Sequence, residues 1–574
     1  MKPGALEPWW QKSFMTFYMS PGDKINELIS AIVVLILNIN AMEKWVADSF
    51  DSNITSGENK SFWISTIEPL IFEKLQSDIT TDVLVIGGGI SGLTTAYNLL
   101  KSGHNVVLVE DGYIGSGETG RTTAHLSNAL DDHYFELEKL FGKEKARLAA
   151  ESHMAAINII ERIVSREKIN CNFKRVNGYL FLSFNDKHES IEKEYRATID
   201  AGLKTKMLPQ LPGIYAPGDE SCIMFPDQAQ FNPMKYISGL ANAVIANGGQ
   251  IFTETRAEEI TRDGARTNGH RITAKNIVVA TNTPVNDMVT MHTKQYPYRT
   301  YVIAASIPKG SLPYALWWDT GDQESKWESK PYHYIRIEDL DDRHDLVIVG
   351  GEDHRVGQAD SEDIGPGERY ELLYNWARQR GLPINKILYK WSGQIMEPID
   401  SLAFIGKNPG DDNIFIITGD SGNGMTHGTI GGMLITDLIN GKDNPWEDLY
   451  DPSRISVKAA GEFLKEAGNM ASQYTGWIKK GEVDSTYDLG RGEGGILSSG
   501  LKKYAVYRDN NGTLHTCTAV CPHLGGILTW NDDEKSFDCP VHGSRFTGEG
   551  IVINGPAISD LKHEEIKEEV RKRG

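Results

Sequence analysis

Two short Cys/His clusters near the carboxyl end of this 574-residue chain constrain it more than any other feature. The first is Cys521-Pro522-His523, and the second runs from Cys539 to His542 with the sequence CPVH. Thiolate and neutral imidazole are the side chains that bind soft and borderline transition metals. The pattern therefore predicts a metal centre. A structural zinc site is the alternative, although zinc sites of this composition usually pair Cys with Cys and His with His.

The residues around both clusters resemble the metal-binding loops of the Rieske iron–sulfur family. The matching segments are 521–526 (CPHLGG) and 539–544 (CPVHGS), and Gly555-Pro556 resembles the family's third, covering loop. In a Rieske [2Fe–2S] centre two Cys hold one iron and two His hold the other, which raises the reduction potential. The resemblance implies that the ligands are Cys521, His523, Cys539 and His542. It also implies that the two His form an exposed edge through which electrons leave.

Two departures from the family bear on the cluster. Respiratory Rieske proteins carry an extra Cys in each loop and join the two by a disulfide, but the corresponding positions here are Gly526 and Val541. Their second loop also supplies Ser and Tyr hydroxyls to sulfur, whereas this chain has Ser544 and Phe546. Hydrogen bonds to sulfur raise the cluster potential. We therefore predict a potential below that of the respiratory proteins.

Composition limits the partners and the compartment. The net charge of −19 argues against nucleic acid and anionic membranes as partners. Five Cys are present, and the three outside the cluster loops are expected to be free thiols, which suits a reducing cytoplasm. The apolar run at 29–37 is shorter than the roughly 20 residues that span a bilayer. We interpret residues 1–76 as an N-terminal extension.

A nucleotide-binding unit is predicted between residues 82 and 110. The apolar run 82–86 is typical of a strand, the turn 87–92 reads GGGISG, residues 93–101 are typical of a helix, and a second apolar run ends at Glu110. In a G-x-G-x-x-G turn the first Gly allows a tight bend, the second lets the backbone approach a pyrophosphate and the third lets helix and strand pack closely. An acid at the end of the second strand binds a ribose hydroxyl.

Further segments, in the right order, resemble the D-amino-acid-oxidase-like family, which includes glycine and sarcosine oxidases. They are 115–123 (GSGETGRTT), 277–282 (IVVATN), 391–393 with 403–406, and 414–419 with 422–428, and together with the glycine turn they cover roughly residues 80–440. The resemblance implies FAD rather than NAD. It implies these FAD-binding residues: Gly87, Gly89, Gly92, Glu110, Gly117, Arg121, Thr122, Thr123, Ala280, Thr281, Gly419, Gly422, Gly424 and Met425.

The expected fold is an α/β, Rossmann-like FAD-binding domain of the glutathione-reductase type with an interleaved antiparallel β-sheet substrate domain, followed by an all-β Rieske domain. Alternating apolar and polar residues in 173–225 and 295–355 predict the substrate sheet. We place the oxidoreductase domain at 77–455, with the interleaved part at about 150–270 and 290–400. A helical linker at 456–481 and the Rieske domain at 482–574 follow.

The candidate catalytic residues are His427, His125 and Arg121, because they lie within or beside the flavin motifs. Other candidates are His292, Arg299, Tyr332, His333, Arg336 and His354. Hydride transfer to flavin needs positioning and a proton acceptor more than a nucleophile. The Arg that clamps a substrate carboxylate in amino-acid oxidases has no clear counterpart, and Gln394 stands near its usual place.

These features predict a flavin and Rieske iron–sulfur oxidoreductase. It would oxidise a C–N bond of an amine or a related compound and pass electrons singly through the cluster to a carrier protein or a quinone. Two alternatives stay open at this point: a redox carrier or sensor without an organic substrate, and a reductase that moves electrons from a carrier to the flavin.

Overall fold

The structure, a computed structural model, describes residues 57–215, 221–286, 291–324, 331–356, 364–455, 468, 472–500 and 502–566. All of them lie in one compact unit, Ile54–Gly574. The apolar run at 29–37, most of the predicted linker helix and the charged tail after residue 566 lie outside the described residues.

Helices and strands are mixed up to Tyr450, and the elements after it among the described residues are a short 3-10 helix, Tyr474–Trp477, and seven strands. The helices are α1 Ile90–Lys101, α2 Tyr134–Phe141, α3 Lys143–Glu167, α4 His188–Asp200, α5 Pro233–Ala246, α6 Pro366–Gln379, α7 Gly424–Ile439 and α8 Glu447–Tyr450. The strands are β1 Ile79–Ile86, β2 Val106–Val109, β3 His125–Leu126, β4 Lys174–Phe181, β5 Lys206–Leu208, β6 Cys222–Gln230, β7 Gln250–Phe252, β8 Glu259–Thr261, β9 Gly264–Thr267, β10 His270–Val279, β11 Gln295–Pro308, β12 Leu316–Asp319, β13 Tyr334–Asp339, β14 His344–Arg355, β15 Lys386–Pro398, β16 Phe404–Lys407, β17 Ile414–Thr418, β18 Glu493–Ser499, β19 Lys502–Arg508, β20 Leu514–Thr518, β21 Thr529–Asn531, β22 Ser536–Asp538, β23 Arg545–Thr547 and β24 Val552–Asn554.

The first sheet is the nucleotide-binding sheet, with the order β16-β17-β10-β1-β2-β7. Its strands β17, β10, β1, β2 and β7 run parallel, and β16 runs antiparallel at one edge. The last four residues of β1, Val83 to Ile86, are buried, because helices cover both faces of such a sheet. The chain passes from β1 through the glycine turn directly into α1, as the motif predicts.

The second sheet is the predicted interleaved sheet. Its order is β15-β11-β14-β13-β12-β4-β6-β3, with β5 paired to β6, and its pairs are antiparallel except for β12 with β4. Strand β11 is long and almost wholly buried, which fits its position between β15 and β14. Helix α6 packs on this sheet and shares its apolar core.

The third part is all-β. Strands β18-β19-β20 form one antiparallel sheet and β21-β22-β23-β24 form another. The two Cys/His clusters lie in the loops just before β21 and just after β22. The predicted fold class is confirmed in all three parts. Within the part of the chain that is described, no helix is long and apolar enough to cross a membrane.

Candidate functional site

A cavity of about 280 Å³ lies at the carboxyl ends of the parallel strands. This is where open α/β sheets bind ligands, since the loops at that edge diverge and helices begin there. The start of α1 and the start of α7 both line the cavity, so backbone N–H groups of two helix ends face it.

The close packing of the turn after β1 explains why its sequence is rich in glycine. Gly87 has φ +113°, and a Cβ added to it would lie 2.4 Å from the Ala280 carbonyl oxygen. A Cβ on Gly92 would lie 1.9 Å from the Gly87 carbonyl oxygen, inside the contact between turn and helix. Gly89 faces the cavity, where an added Cβ would meet Thr119 Oγ1 at 2.9 Å. Each Gly is therefore required by a close approach.

The carboxylate of Glu110 closes one end of the cavity at the end of β2. It accepts hydrogen bonds from the backbone N–H of Gly88 at 2.5 Å and of Gly112 at 2.9 Å. Burial, reinforced by the neighbouring Asp111, raises the pKa of Glu110 well above its usual value. A polar group that hydrogen-bonds to Glu110 inside this cavity would relieve that cost.

Most of the predicted FAD-binding residues line this one cavity. Those that line it are Gly87, Gly89, Glu110, Gly117, Arg121, Thr122, Thr123, Ala280, Thr281, Gly422, Gly424 and Met425. Gly92 and Gly419 are not among its lining residues: Gly92 packs beneath Gly87, and Gly419 packs against Gln295 and Phe404.

His427 lines the cavity at the start of α7, but its ring is held on both sides. Its Nδ1 lies 2.9 Å from the Asp420 carbonyl oxygen, and its Nε2 lies 3.2 Å from Nε2 of His153. Burial lowers the pKa of His427 to about 4, so the ring is neutral. Because both of its nitrogens have partners in the protein, His427 is better suited to fixing the start of α7 than to moving a proton.

His125 and Arg121 also line the cavity, and both side chains have protein partners. His125 Nδ1 lies 3.1 Å from Thr123 Oγ1, and its Nε2 lies 3.2 Å from the Ile335 carbonyl oxygen. Burial lowers the pKa of His125 to about 3. The Arg121 guanidinium donates to Glu534 Oε1 at 3.0 Å, with both side chains almost fully buried.

Of the further candidates, Tyr332 alone lines the cavity. Arg336 pairs with Glu338 beneath it, His333 stacks on Trp376 at 4.2 Å, and His354 stacks on Tyr301 at 5.7 Å. His292 and Arg299 lie at the surface that contacts the Rieske part of the chain, as described below.

An acidic end of the cavity was missed by the sequence reasoning. Asp131 lines it together with Tyr332, Tyr334 and Trp318. Burial raises the pKa of Asp131 to about 8, although the Tyr332 hydroxyl donates a hydrogen bond to it. Burial also raises the pKa of nearby Asp353 to about 7. The signal in the sequence was the pair Asp131-Asp132 a few residues after the second flavin motif, two acids that the fold leaves half-buried.

The four predicted cluster ligands form two pairs. The thiols of Cys521 and Cys539 contact each other, and this contact lowers the pKa of Cys521 and raises that of Cys539. The ring centroids of His523 and His542 lie 4.9 Å apart, and burial lowers the pKa of His542 to about 3. Metal binds to thiolate and to neutral imidazole, so a lowered thiol pKa and a neutral ring both favour binding.

Two pairs suit two irons better than one zinc ion. In the described part of the chain, no three Cys, His, Asp or Glu side chains converge as the ligands of a single metal ion would. The Ser544 hydroxyl accepts the Ala557 N–H at 3.0 Å and lies within hydrogen-bonding reach of the Cys521 sulfur. A Cβ added to Gly526 would lie 2.6 Å from Val541 Cγ2, so these two positions face each other where the respiratory proteins have their disulfide.

The expectation of an exposed histidine edge is wrong. His523 and His542 are only 8% and 3% exposed. His292, which precedes β11 in the flavin part of the chain, lies against both rings, with centroid distances of 4.8 Å to His523 and 5.8 Å to His542. The Rieske loops dock onto the flavin part, and this covers the edge that the sequence suggested was open.

A buried ion network fixes this docking. Arg121 and Arg299 extend from the flavin part, and Glu534, Asp538 and Arg545 from the Rieske part. Although burial alone would raise the pKa of Glu534, the guanidinium groups of Arg121, Arg545 and Arg299 hold it below its usual range.

The Rieske part also supplies one wall of the flavin-side cavity. Arg256 anchors this wall, since its Nη2 donates to the Val552 carbonyl oxygen at 2.9 Å. On the same wall, Asn554 Nδ2 donates to Glu118 Oε1 at 3.3 Å. The wall residues are Val552, Ile553, Asn554, Gly555, Ala557 and Ile558.

Comparison with known proteins agrees with this geometry. Residues 82–438 match the family described as FAD dependent oxidoreductase. The chain belongs to this family. Residues 479–565 match the Rieske [2Fe-2S] domain. The chain is therefore an FAD-dependent oxidoreductase with a C-terminal Rieske domain, and the prediction of FAD and a Rieske-type cluster is confirmed. The glycine cradle fits a dinucleotide, and the two ligand pairs fit a two-iron cluster.

Relatives share this architecture to different extents. The Rieske 2Fe-2S iron-sulfur protein YhfW of Bacillus subtilis is 32% identical over 88% of this chain and 97% of its own. The gamma-glutamylputrescine oxidoreductase of Escherichia coli is 27% identical over 64% of this chain and 86% of its own.

Solved structures share the fold of the flavin part. The glycine oxidase of Geobacillus kaustophilus is 18% identical, with a TM-score of 0.51 over 66% of this chain and 99% of its own. The L-amino acid deaminase of Proteus vulgaris is 16% identical, with a TM-score of 0.52 over 67% of this chain and all of its own.

Proposed function

We propose that this family member oxidises an amine that binds as a cation, and that its electrons leave through the Rieske cluster one at a time. The observation that carries this proposal is the acidic end of the cavity around Asp131. A carboxylate whose pKa is raised by burial gains most from a cation beside it, because the cation replaces the lost hydration.

The arginines of the cavity favour an amine over an amino acid. Arg121 is engaged by Glu534, and Arg256 Nε lies 3.6 Å from Asp111 Oδ2. Each guanidinium already has an acidic neighbour, which lowers what it would gain from a substrate carboxylate. The similarity to a gamma-glutamylputrescine oxidoreductase, whose name contains the diamine putrescine, supports an amine nitrogen as the site of oxidation.

The side chains at the acidic end have distinct roles in this proposal. Trp318, Tyr332 and Tyr334 provide the aromatic walls, and Asp131 binds the ammonium group and accepts its proton. Loss of that proton, and of a hydride from the neighbouring carbon, converts the C–N bond to C=N. FAD would supply the hydride acceptor, and a cluster held by Cys521, Cys539, His523 and His542 would supply one-electron transfer to a carrier protein or a quinone. The proton and the hydride together balance the oxidation.

The FAD-binding residues are assigned from the cavity lining, and the cluster ligands from the two Cys/His loops. We propose that the cavity-lining glycines and threonines and Glu110 bind FAD, with the N-terminus of α7 at the flavin ring. We propose Cys521, Cys539, His523 and His542 as the cluster ligands. The other three Cys, Cys171, Cys222 and Cys517, form no disulfide, which supports a cytoplasmic location.

An anaerobic titration tests this function. Monoamines and polyamines are added to the protein while flavin absorbance and the cluster EPR signal are recorded. Amino acids of the same carbon-chain length are tested in parallel. Amines should bleach the flavin and then reduce the cluster, whereas amino acids should do neither. Bleaching by NADH or by a reduced carrier alone would support the reductase alternative instead.

Replacement of Asp131 identifies the binding group. Asp131→Asn should raise the amine concentration for half-maximal bleaching by roughly tenfold to a hundredfold, because the negative partner of the ammonium group is lost. Asp345→Asn is the matched control, since Asp345 is a buried acid that accepts from the Gly310 N–H away from the cavity. Equal effects of the two replacements would count against the proposal.

A further inference from the structure

Gln394 touches both the cavity and the cluster-binding part of the chain. It lies on β15 opposite Arg299 of β11, lines the cavity and is 3% exposed. Its side-chain Nε2 donates to the carbonyl oxygen of Gly543 at 3.1 Å. Gly543 directly follows His542, so one amide group joins the cavity wall to the second cluster loop.

The orientation of the Gln394 amide follows from its neighbours. If the amide were turned over, two carbonyl oxygens would face each other across the contact with Gly543, which is unfavourable. The Oε1 atom must therefore point away from the loop. It is buried and has no hydrogen-bond partner among the described residues. A buried acceptor of this kind costs free energy until an N–H group reaches it.

Gly543 is shaped for this contact. Its φ is +81°, and a Cβ added to it would lie 2.8 Å from Gln394 Nε2 and 2.7 Å from Pro297 Cβ. Its own N–H donates to the Cys539 carbonyl oxygen at 3.0 Å, so the loop is closed on the cluster side as well. No larger residue fits between the cluster loop and the cavity wall at this point.

We propose that Gln394 is a positioning residue that holds the second cluster loop against the cavity and accepts an N–H group from what binds there. The proposal rests on the proposed function for the identity of the bound groups. The N–H group comes either from the flavin ring or from the amine substrate. With the histidine edge buried against the same surface, electrons pass from flavin to cluster within the docked chain and need no movement of the Rieske domain.

A flash-photolysis experiment tests the coupling without any amine, so it is independent of the proposed substrate. The flavin is reduced by a light-driven donor such as deazaflavin with EDTA, and the electron's transfer to the cluster is followed by absorbance and EPR. Gln394→Met keeps the side-chain volume and removes both amide atoms. We expect transfer to slow by about tenfold, the equivalent of one buried hydrogen bond of about 1.4 kcal/mol. The EPR g values should also shift as the loop moves.

A matched control separates coupling from stability. Gln230 is a fully buried Gln whose Nε2 donates to the Ile337 carbonyl oxygen at 2.6 Å and whose Oε1 also has no hydrogen-bond partner among the described residues, yet it does not line the cavity. Gln230→Met should lower stability and leave the transfer rate and the EPR signal unchanged. Wild-type transfer and g values in Gln394→Met would overturn the proposal, and so would equal changes in both variants.

A second variant, Gln394→Glu, distinguishes the two possible sources of the N–H group. It also tests the proposal if Gln394→Met does not fold. Gln394→Glu keeps an acceptor oxygen and loses the N–H donor to Gly543, so it should slow transfer while retaining ligand affinity. If the flavin is the N–H donor, Gln394→Met shifts the flavin spectrum before any amine is added. If the amine is the donor, the flavin spectrum is unchanged and the amine concentration for half-bleaching rises. Wild-type transfer in Gln394→Glu would likewise overturn the proposal.

Discussion

Replacement of Glu534 by Gln tests whether the two parts of the chain are held together by the buried ion network. Glu534 accepts hydrogen bonds from Arg121 and from the Ser392 hydroxyl, and lies near Arg299 and Arg545. Three guanidinium groups share two carboxylates, Glu534 and Asp538. Removing one carboxylate leaves three buried positive charges facing a single negative one.

The size of the effect follows from burial. The Arg121 and Glu534 side chains are 0% and 1% exposed, so water cannot compensate for the lost partner. Breaking a buried ion pair from one side costs about 3–5 kcal/mol, whereas replacing both partners with apolar groups can be neutral. We therefore expect Glu534→Gln to lose about 3–5 kcal/mol and the double variant Arg121→Met/Glu534→Leu to lose much less.

Two spectroscopic probes make the assay specific to the interface. Visible circular dichroism of the cluster reports on the Rieske part, and flavin fluorescence reports on the FAD part during urea denaturation. Glu534→Gln should move both midpoints to lower urea. The matched control is Glu338→Gln, which breaks the buried Arg336–Glu338 pair inside the flavin part and should affect the flavin signal first.

The pH dependence of stability provides an independent check, because the direction of the Glu534 contribution is known. The folded-state pKa of Glu534 lies below its ordinary value of 4.5, so its carboxylate contributes stability above pH 4.5 and loses it as the pH falls through the folded pKa. Wild type should lose this contribution on acidification and Glu534→Gln should not. Unchanged midpoints in Glu534→Gln, or a double variant as unstable as the sum of its singles, would refute the reasoning.

Three further predictions concern the cofactors and the substrate. Amine affinity should rise as the pH increases through about 8, because Asp131 becomes a carboxylate there, and Asp131→Asn should flatten this profile in anaerobic titrations; a flat wild-type profile would contradict it. Gly89→Ala places a Cβ 2.9 Å from Thr119 Oγ1 in the cavity and should lower bound FAD, measured by absorbance, while leaving cluster EPR intact. Phe546, buried on β23, offers no hydroxyl to sulfur, so redox titration should find a potential below the upper part of the Rieske range of about −150 to +300 mV; a value near the top would refute this.

Local sequence signals predicted local structure well. The glycine turn and its flanking strands could be predicted because nearby backbone leaves no room for a side chain at each Gly, as the contacts of Gly87 and Gly92 show. The cluster loops were readable because metal ligands need fixed residue types at fixed spacings. Both kinds of signal lie within a few residues of one another.

The docking of the two parts could not be read in this way. His292 precedes the cluster loops by more than 200 residues and lies against their His rings, while Pro297 of β11 lies close to Gly543 of the second loop. The sequence placed Gln394 and Arg121 at the flavin site, yet their side chains also contact the Rieske part. Contacts between distant segments depend on how whole sheets pack, and no periodicity or spacing in the chain encodes that.

The wall that residues 552–558 lend to the flavin cavity has a consequence for how the protein matures. This wall belongs to the part of the chain that is synthesised after the flavin domain, and it follows the two Cys/His loops in the sequence. A nascent flavin domain thus has an open cavity until the iron–sulfur domain has folded onto it. Cells short of iron or sulfide should accumulate chains that release FAD readily, so loading of one cofactor becomes a checkpoint for retention of the other.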